Sequence, residues 1–507
     1  MPDRKSLILV TVDCLRADHC GFMGYRRPTT RFLDGLARES FVFPSAIVAG
    51  VPTYYSFPAI LASRYPLGLG REVLGLAAGE KNLASTLKED GYATAFFGAG
   101  NPYLSAQFGY DFGFDTFRDF MDDRLDSPFD ADNSSSTGNW VGSLNRTLAS
   151  ISHKIPGMGT AYDELYFHYC QNRAASRPKP FDTLRRFPAA NVVVDHAQSW
   201  LASVGERPFF LWLHLMDPHS PYYPTQEGLE LLGEAGITAS RARYLNAYWN
   251  RFDVSSKRLR RHREEIVALY DAGIAWVDAH LSRLIEGLRQ SGQWKNCIFA
   301  FTADHGEEFL DHGGRYHPPA LREELIHVPL LLRVPGADKR ELSANPFSLL
   351  HLAPTLLAAS GVPVPVEFQG QNYWPHLQQG ADWSQPAIAE CVAGCTNPFR
   401  IEQRTGSRLL AVREARYKLL LDLDGHAESL FDLEADPHED SPMPRGAQKP
   451  VRRRMLESAL AHLRNSVLHR NPEAYVRTRL REIALHLASS SDLNSHAPLH
   501  ADASPVG

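Results

Sequence analysis

Short runs of apolar residues, each closed by turn residues, punctuate the first two-thirds of the chain. They are Leu7–Val12, Ala93–Phe97, Phe209–Leu215, Cys297–Thr302 and Val328–Val334. Runs of this length without polar alternation predict strands buried on both faces. Between them the spacing changes to steps of three and four, most clearly at Ile266, Tyr270, Ile274, Val277, Leu281, Leu284 and Leu288. That stripe predicts an amphipathic helix. Buried strands alternating with helices predict an α/β fold, a central and mostly parallel sheet flanked by helices. In such sheets ligands collect at the carboxyl ends of the strands.

After about Gln385 the pattern shifts to shorter segments, Leu409–Val412, Tyr417–Leu421 and Leu430–Leu433, with Asp424-Gly425 as a turn signal. These predict a small antiparallel sheet, followed by a helix over about 448–487. The expected organisation is an α/β domain over 1–385, an α+β subdomain over 386–487 and a disordered Ser/Asp/His/Pro-rich tail over 488–507. Residues 125–169 lack periodicity and hold the polar cluster Asp130–Gly138. They read as an insertion, either a lid or a plain surface excursion. The basic run in Arg251–Arg263 reads as a solvated helix face ahead of an anion-binding surface.

Composition narrows the class. Of 507 residues 44% are hydrophobic, enough for a sizeable core, and no stretch nears the length of a membrane span. A net charge of −5 argues against a general nucleic-acid binder. Six scattered cysteines exclude a disulfide scaffold and point to reduced thiols and a cytoplasmic location. Cys391 and Cys395 form a CxxxC without a second pair.

Three predicted strands end in chemistry-bearing residues. Asp13 follows the first strand directly. Met216-Asp217-Pro218-His219-Ser220-Pro221-Tyr222 follows Phe209–Leu215, and Ala303-Asp304-His305-Gly306-Glu307-Glu308 follows the strand at Cys297. Charged groups at the ends of buried strands need a partner or a metal. Two aspartate oxygens and an imidazole suit Zn²⁺ or Mn²⁺ better than an all-oxygen Ca²⁺ cage. Taken singly, each of these residues reads equally as a cap or a satisfied polar group.

Together these segments resemble the sulfatase branch of the alkaline phosphatase superfamily. The resemblance runs through Asp13-Cys14-Leu15-Arg16-Ala17-Asp18-His19, Thr30–Ala37 (with Arg31 where the family has proline), Asn82–Thr94, Phe209–Tyr222 and Ala303–Glu307. It continues through His327–Gly336, Leu352–Pro363 and Leu430–Pro437. Sulfatases carry a Cys-x-Pro-Ser-Arg motif whose cysteine or serine is oxidised to formylglycine. The matching segment begins Thr53-Tyr54-Tyr55-Ser56-Phe57, so Thr53 stands at the nucleophile and Phe57 at the arginine.

A threonine there resembles the phosphodiesterases and phosphoethanolamine transferases of the superfamily. The resemblance implies a metal-dependent hydrolase of phosphate mono- or diesters with Thr53 as nucleophile. It implies a metal held by Asp13, Thr53, Asp304 and His305, and His219 and His317 gripping the phosphoryl oxygens. One divalent ion is expected rather than two, Zn²⁺ or Mn²⁺ ahead of Ca²⁺, because Asp217-x-His219 lacks the spacing of two-metal relatives. His312 reads as a surface-loop histidine. Cys14, where many sulfatases have a second aspartate, reads as a buried filler with a ligand role as the alternative. The partner is a small anionic ester. Alternatives are a sulfuric ester hydrolase without formylglycine, a phosphoryl transferase and a catalytically silent ligand-binding relative.

Overall fold

The computed structural model describes residues 4–468 apart from 72, 122–163, 170, 172–178 and 339–341. The insertion expected at 125–169, except for 164–169 and therefore most of it, the helix beyond 468 and the tail over 488–507 lie outside the described residues. The main sheet has seven strands: β1 (Ser6–Val12), β2 (Phe41–Val42), β3 (Ala93–Gly98), β4 (Thr116–Arg118), β5 (Phe209–Leu215), β6 (Cys297–Ala303) and β7 (Leu330–Arg333). Their order is β2-β7-β6-β1-β5-β3-β4. β1 pairs in parallel with β5 and β6, and β3 with β5 and β4. β7 runs antiparallel to both β6 and β2. Every residue of β3, β5 and β6 is buried, as uninterrupted apolar runs in a covered parallel sheet require.

Two sequence expectations needed correction here. The run Val328–Val334 does not form one strand. His327–Val328 pairs instead with Ala46–Ile47 in a separate three-stranded sheet, and the main-sheet strand begins at Leu330. Pro329 lies between them and has no N–H to give to a ladder. The basic run is also not one solvated face. It is broken into Ser256–Leu259, a 3₁₀ turn Arg260–His262 and the start of the helix Arg263–Gln290. Lys257, Arg260 and Arg261 are exposed, whereas Arg251 and Arg258 pair with Glu164, and Arg263 with Asp311.

The helix Arg263–Gln290 buries all seven residues of the predicted stripe against the core. Each large apolar side chain so buried contributes on the order of 1.5–3 kcal/mol before chain entropy is subtracted. Among the described residues no helix is long and apolar enough to cross a membrane.

Near the C-terminus a second, antiparallel sheet runs β8 (Ala387–Val392), β9 (Arg408–Arg413), β10 (Tyr417–Asp422) and β11 (Ala427–Asp432) in sequence order. Its Ile388, Leu410, Val412, Leu419, Leu421 and Leu430 pack with Met455 and Ala459 of the helix Lys449–Leu468. Asp424-Gly425 lies in the β10–β11 turn, where Gly425 N–H donates to Asp422 Oδ1 at 2.8 Å. Buried ion pairs tie this sheet to its surroundings. Lys418 Nζ sits between Glu323 (3.1 Å) and Glu439 (2.9 Å), and Glu390 meets Arg408 and His462.

Burial pushes Glu323 and Glu390 up, but their cationic partners outweigh it and hold both down to about 2, against an ordinary 4.5. A depressed carboxyl contributes stability above its unfolded value and loses it as pH falls toward its folded value. The urea midpoint is therefore expected to fall between about pH 4.5 and pH 2. A midpoint constant across that window would contradict the pairing.

Candidate metal and nucleophile site

Val12 lies opposite both Leu215 and Ala303, so β1, β5 and β6 end side by side. Asp13, Met216 and Asp304 therefore leave the sheet at one edge. Asp13 N–H extends the ladder to Leu215 O at 2.9 Å, and Cys14 then turns the chain with a φ of 61°. The segment Asp304–Glu307 is pressed against the backbone at Glu324: a Cβ on Gly306 would lie 1.9 Å from Glu324 O, so only glycine fits.

The helix Thr53–Ala62 enters from the other side. All ten of its residues are buried, so it is apolar all round and belongs to the core rather than the surface. Thr53 is its first residue, and the N–H groups of Tyr55 and Ser56 turn back to Pro52 O. A helix start is a favourable place for an anion or a developing negative charge.

The structure brings together all six residues expected at the site. Thr53 Oγ1 lies 3.1 Å from His305 Nε2. His305 Nε2 lies 3.5 Å from Asp304 Oδ2 and 3.8 Å from Asp13 Oδ1. The His305 ring is 4.7 Å from that of His317, which is 5.0 Å from that of His219. Three imidazoles are oriented alike through Nδ1. His305 Nδ1 meets Gly306 O at 2.9 Å, His219 Nδ1 meets Ser220 O at 2.5 Å and His317 Nδ1 meets Glu307 Oε2 at 2.9 Å. These acceptors cannot donate, so each Nδ1 carries the proton, and the Thr53 hydroxyl donates to His305 Nε2.

The electrostatics ask for a cation. Asp304 Oδ2 is sealed from solvent and has no hydrogen-bond partner. Burial first, and Asp13 second, push the Asp304 carboxyl up to about 8, while His219, His214 and His305 hold Asp13 well below its ordinary value against burial. Two buried carboxylates this close cannot both ionise without positive charge between them. Burial pushes His219 and His305 down to about 4, so both are neutral and able to ligate or accept. His317 is raised against burial by Glu307. Two carboxylates, a neutral imidazole and a hydroxyl fit Zn²⁺ or Mn²⁺.

Three contributors went unassigned in the sequence. His214 Nε2 lies 3.3 Å from Asp13 Oδ2, and Asn101 Nδ2 donates to the same oxygen at 2.8 Å. Glu307, between His317 and Tyr222 OH, anchors the third imidazole. A histidine inside the otherwise apolar Phe209–Leu215 was the available signal for His214.

Other residues take structural roles. Asp217 pairs with Arg185 at 2.8 Å and accepts Ala190 N–H at 3.2 Å. His312 is not a free surface histidine: its Nδ1 meets Glu324 Oε1 at 2.7 Å. Cys14 is more than a filler, for its Sγ lies 2.9 Å from Asp13 Oδ1 and 3.3 Å from His317 Nδ1.

A mostly parallel sheet carrying this edge places the chain in the alkaline-phosphatase-like class of α/β folds. More narrowly, the chain belongs to the sulfatase family: the description "Sulfatase" matches residues 5–362. A second, "N-sulphoglucosamine sulphohydrolase, C-terminal", matches 312–466 and so begins inside the region expected to form the first domain.

Arylsulfatase K of Canis lupus familiaris is 27% identical over 278 residues, 48% of this chain and 50% of the relative. The chain thus spans about half the length of the arylsulfatase K relatives it matches. The multifunctional alkaline phosphatase superfamily protein PehA of Trinickia caryophylli is 24% identical over 494 residues, 86% of this chain and 91% of the relative. Among solved structures, the phosphonate monoester hydrolase of Agrobacterium radiobacter superposes with a TM-score of 0.59 at 19% identity, covering 92% of this chain and 96% of that one. A protein solved with its substrate D-glucosamine-2-N,6-O-disulfate superposes at 0.64 with 17% identity, covering 91% and 98%.

Proposed function

We propose that the chain is a metal-dependent hydrolase of phosphate mono- or diesters in which Thr53 is the nucleophile. The observation that carries this reading is Thr53 itself, a buried hydroxyl at a helix start, 3.1 Å from His305 Nε2 and beside Asp304. A secondary alcohol cannot be oxidised to the aldehyde that a formylglycine sulfatase uses.

Asp13, Asp304, His305 and Thr53 would hold one divalent ion, Zn²⁺ or Mn²⁺ before Ca²⁺, which lowers the hydroxyl's pKa and offsets the charge of a phosphoryl oxygen. The Thr53 hydroxyl donates a hydrogen bond to His305 Nε2, which sets Oγ1 beside the nitrogen that would ligate the ion. His317, which Glu307 raises against burial, would hold a remaining oxygen and protonate the leaving group through Nε2, and the neutral His219 beside it would take up the Thr53 proton on its own Nε2. Phosphoryl transfer needs such positioning and charge neutralisation more than covalent work. Thr53 Oγ1 bonds to phosphorus as the ester oxygen leaves, and water then attacks the phosphothreonine and releases it. Water, rather than an acceptor alcohol, is the second substrate. The substrate is a small anionic ester, and the reading keeps a reducing, cytoplasmic setting.

A second reading, sulfate-ester hydrolysis on an unmodified hydroxyl, draws support from the arylsulfatase K relatives. Parallel rates on an aryl phosphate, a bis-aryl phosphate and an aryl sulfate separate the two. At least one phosphate ester is expected to exceed the sulfate in kcat/KM by about tenfold or more, about 1.4 kcal/mol in the barrier. A sulfate preference overturns the phosphate assignment, and no turnover of any ester favours a silent binding protein.

A further inference from the structure

We infer that His214 and Asn101 are positioning residues that fix Asp13 as a one-oxygen ligand. The inference rests on the reading of Asp13, Asp304 and His305 as cation ligands. The two Asp13 oxygens have different surroundings. Oδ2 receives Asn101 Nδ2–H at 2.8 Å and faces His214 Nε2 at 3.3 Å. Oδ1 faces the Cys14 thiol and lies 3.8 Å from His305 Nε2, on the side of Thr53 and Asp304. With Oδ2 held by two groups and Oδ1 by the weakly donating Cys14 thiol, Oδ1 is the oxygen left toward Thr53, Asp304 and His305 for a cation.

His214 is itself held on every side. Its Nδ1 meets Thr11 Oγ1 at 2.9 Å, across the β1–β5 pair where Thr11 and His214 share a register. Thr11 Oγ1 in turn accepts Trp212 Nε1–H at 3.0 Å and lies 3.2 Å from Leu213 O. The ring of Phe57 stands edge-on to the imidazole, with centroids 5.2 Å apart at 86°. Phe57 occupies the position where the sulfatase motif has arginine, so an apolar wall confines the imidazole there. Asn101 is pinned as well, its Oδ1 accepting Tyr103 N–H at 3.0 Å. No lysine or arginine of the described residues touches the Asp13 carboxylate in a hydrogen bond or ion pair, so Asn101 and His214 do the holding at Oδ2.

The test is Mn²⁺ binding to chelator-stripped full-length protein by titration calorimetry, with melting temperature as the check on folding. Removing a group that orients a metal ligand weakens the metal about 10–100-fold. His214→Ala and Asn101→Ala are each expected to weaken Mn²⁺ by that factor. His214→Gln, which keeps an N–H within reach of Oδ2, is expected to recover most of the loss. Should His214→Ala fail to fold, Asn101→Ala and His214→Gln decide. Folded variants that bind Mn²⁺ as the unsubstituted protein does would overturn the positioning role while leaving the ligand set standing. An unsubstituted protein that binds no Mn²⁺ would instead overturn the ligand set, and the inference with it.

Discussion

Thr53→Ala is expected to lower kcat/KM for the preferred phosphate ester by about 10³-fold or more, with the fold intact. The size follows from what is lost. Alanine removes the hydroxyl proposed as the nucleophile and with it the hydrogen bond to His305 Nε2. Water can replace it only without the helix-start alignment, so the residual rate measures what the histidines and the cation achieve alone. Thr53→Ser keeps the hydroxyl but not the methyl that limits its rotation, and a loss of about 10-fold is the expected result. Steady-state kinetics on both variants, beside their circular dichroism, check the pair. Equal rates for the alanine variant and the parent would remove Thr53 from the chemistry.

The second large effect concerns the cation. Stripping with a chelator is expected to abolish turnover to about 10²–10³-fold below the loaded enzyme, the several kcal/mol that a metal supplies to a developing alkoxide and phosphoryl charge. Mn²⁺ or Zn²⁺ should restore it. In Asp304→Ala the added metal should restore little. This aspartate offers an oxygen that is sealed from solvent and has no hydrogen-bond partner, and its carboxyl is pushed up to about 8 by burial and by Asp13. A variant lacking it keeps Asp13, His305 and Thr53 but has lost one of its two carboxylates, and that set is expected to hold the ion too weakly to compete with a chelator. Full restoration in the variant would place the ion elsewhere. Metal content and activity measured on the same samples distinguish these outcomes.

Much of this was legible in the amino-acid sequence because buried parallel strands are written as uninterrupted apolar runs. Phe209–Leu215 agrees residue for residue, and Leu7–Val12, Ala93–Phe97 and Cys297–Thr302 agree to within one residue at an end. The edge at which Asp13, Asp304 and His305 gather followed from those strand ends together with the tendency of open sheets to bind at their carboxyl edge. What the pattern missed were the short edge strands Phe41–Val42 and Thr116–Arg118, two and three residues that carry no period, and the six-residue strand Ala387–Val392 of the antiparallel sheet. It also missed the break at Pro329, where a proline's missing N–H outranks hydrophobicity.

At the site, His219 and His317 were reachable by family resemblance. His214 and Asn101 were not, because their importance lies in a shared partner, Asp13 Oδ2, that sits far away in the chain. Long-range pairing of this kind leaves no local spacing to read. His312 shows the converse. Its position in a loop suggested a free surface residue, and only folding brings Glu324 against its Nδ1.

The covalent step is tested most directly by trapping it. Full-length, metal-loaded enzyme is mixed with a bis-aryl phosphate, quenched in acid within one turnover, digested and analysed by mass spectrometry. An aryl phosphoryl group on Thr53, absent from the Thr53→Ala variant and lost when turnover completes, is the expected result. Release of the first aryl alcohol at full rate with Thr53 unmodified at every quench time, and solvent oxygen entering the product in a single step, would contradict it.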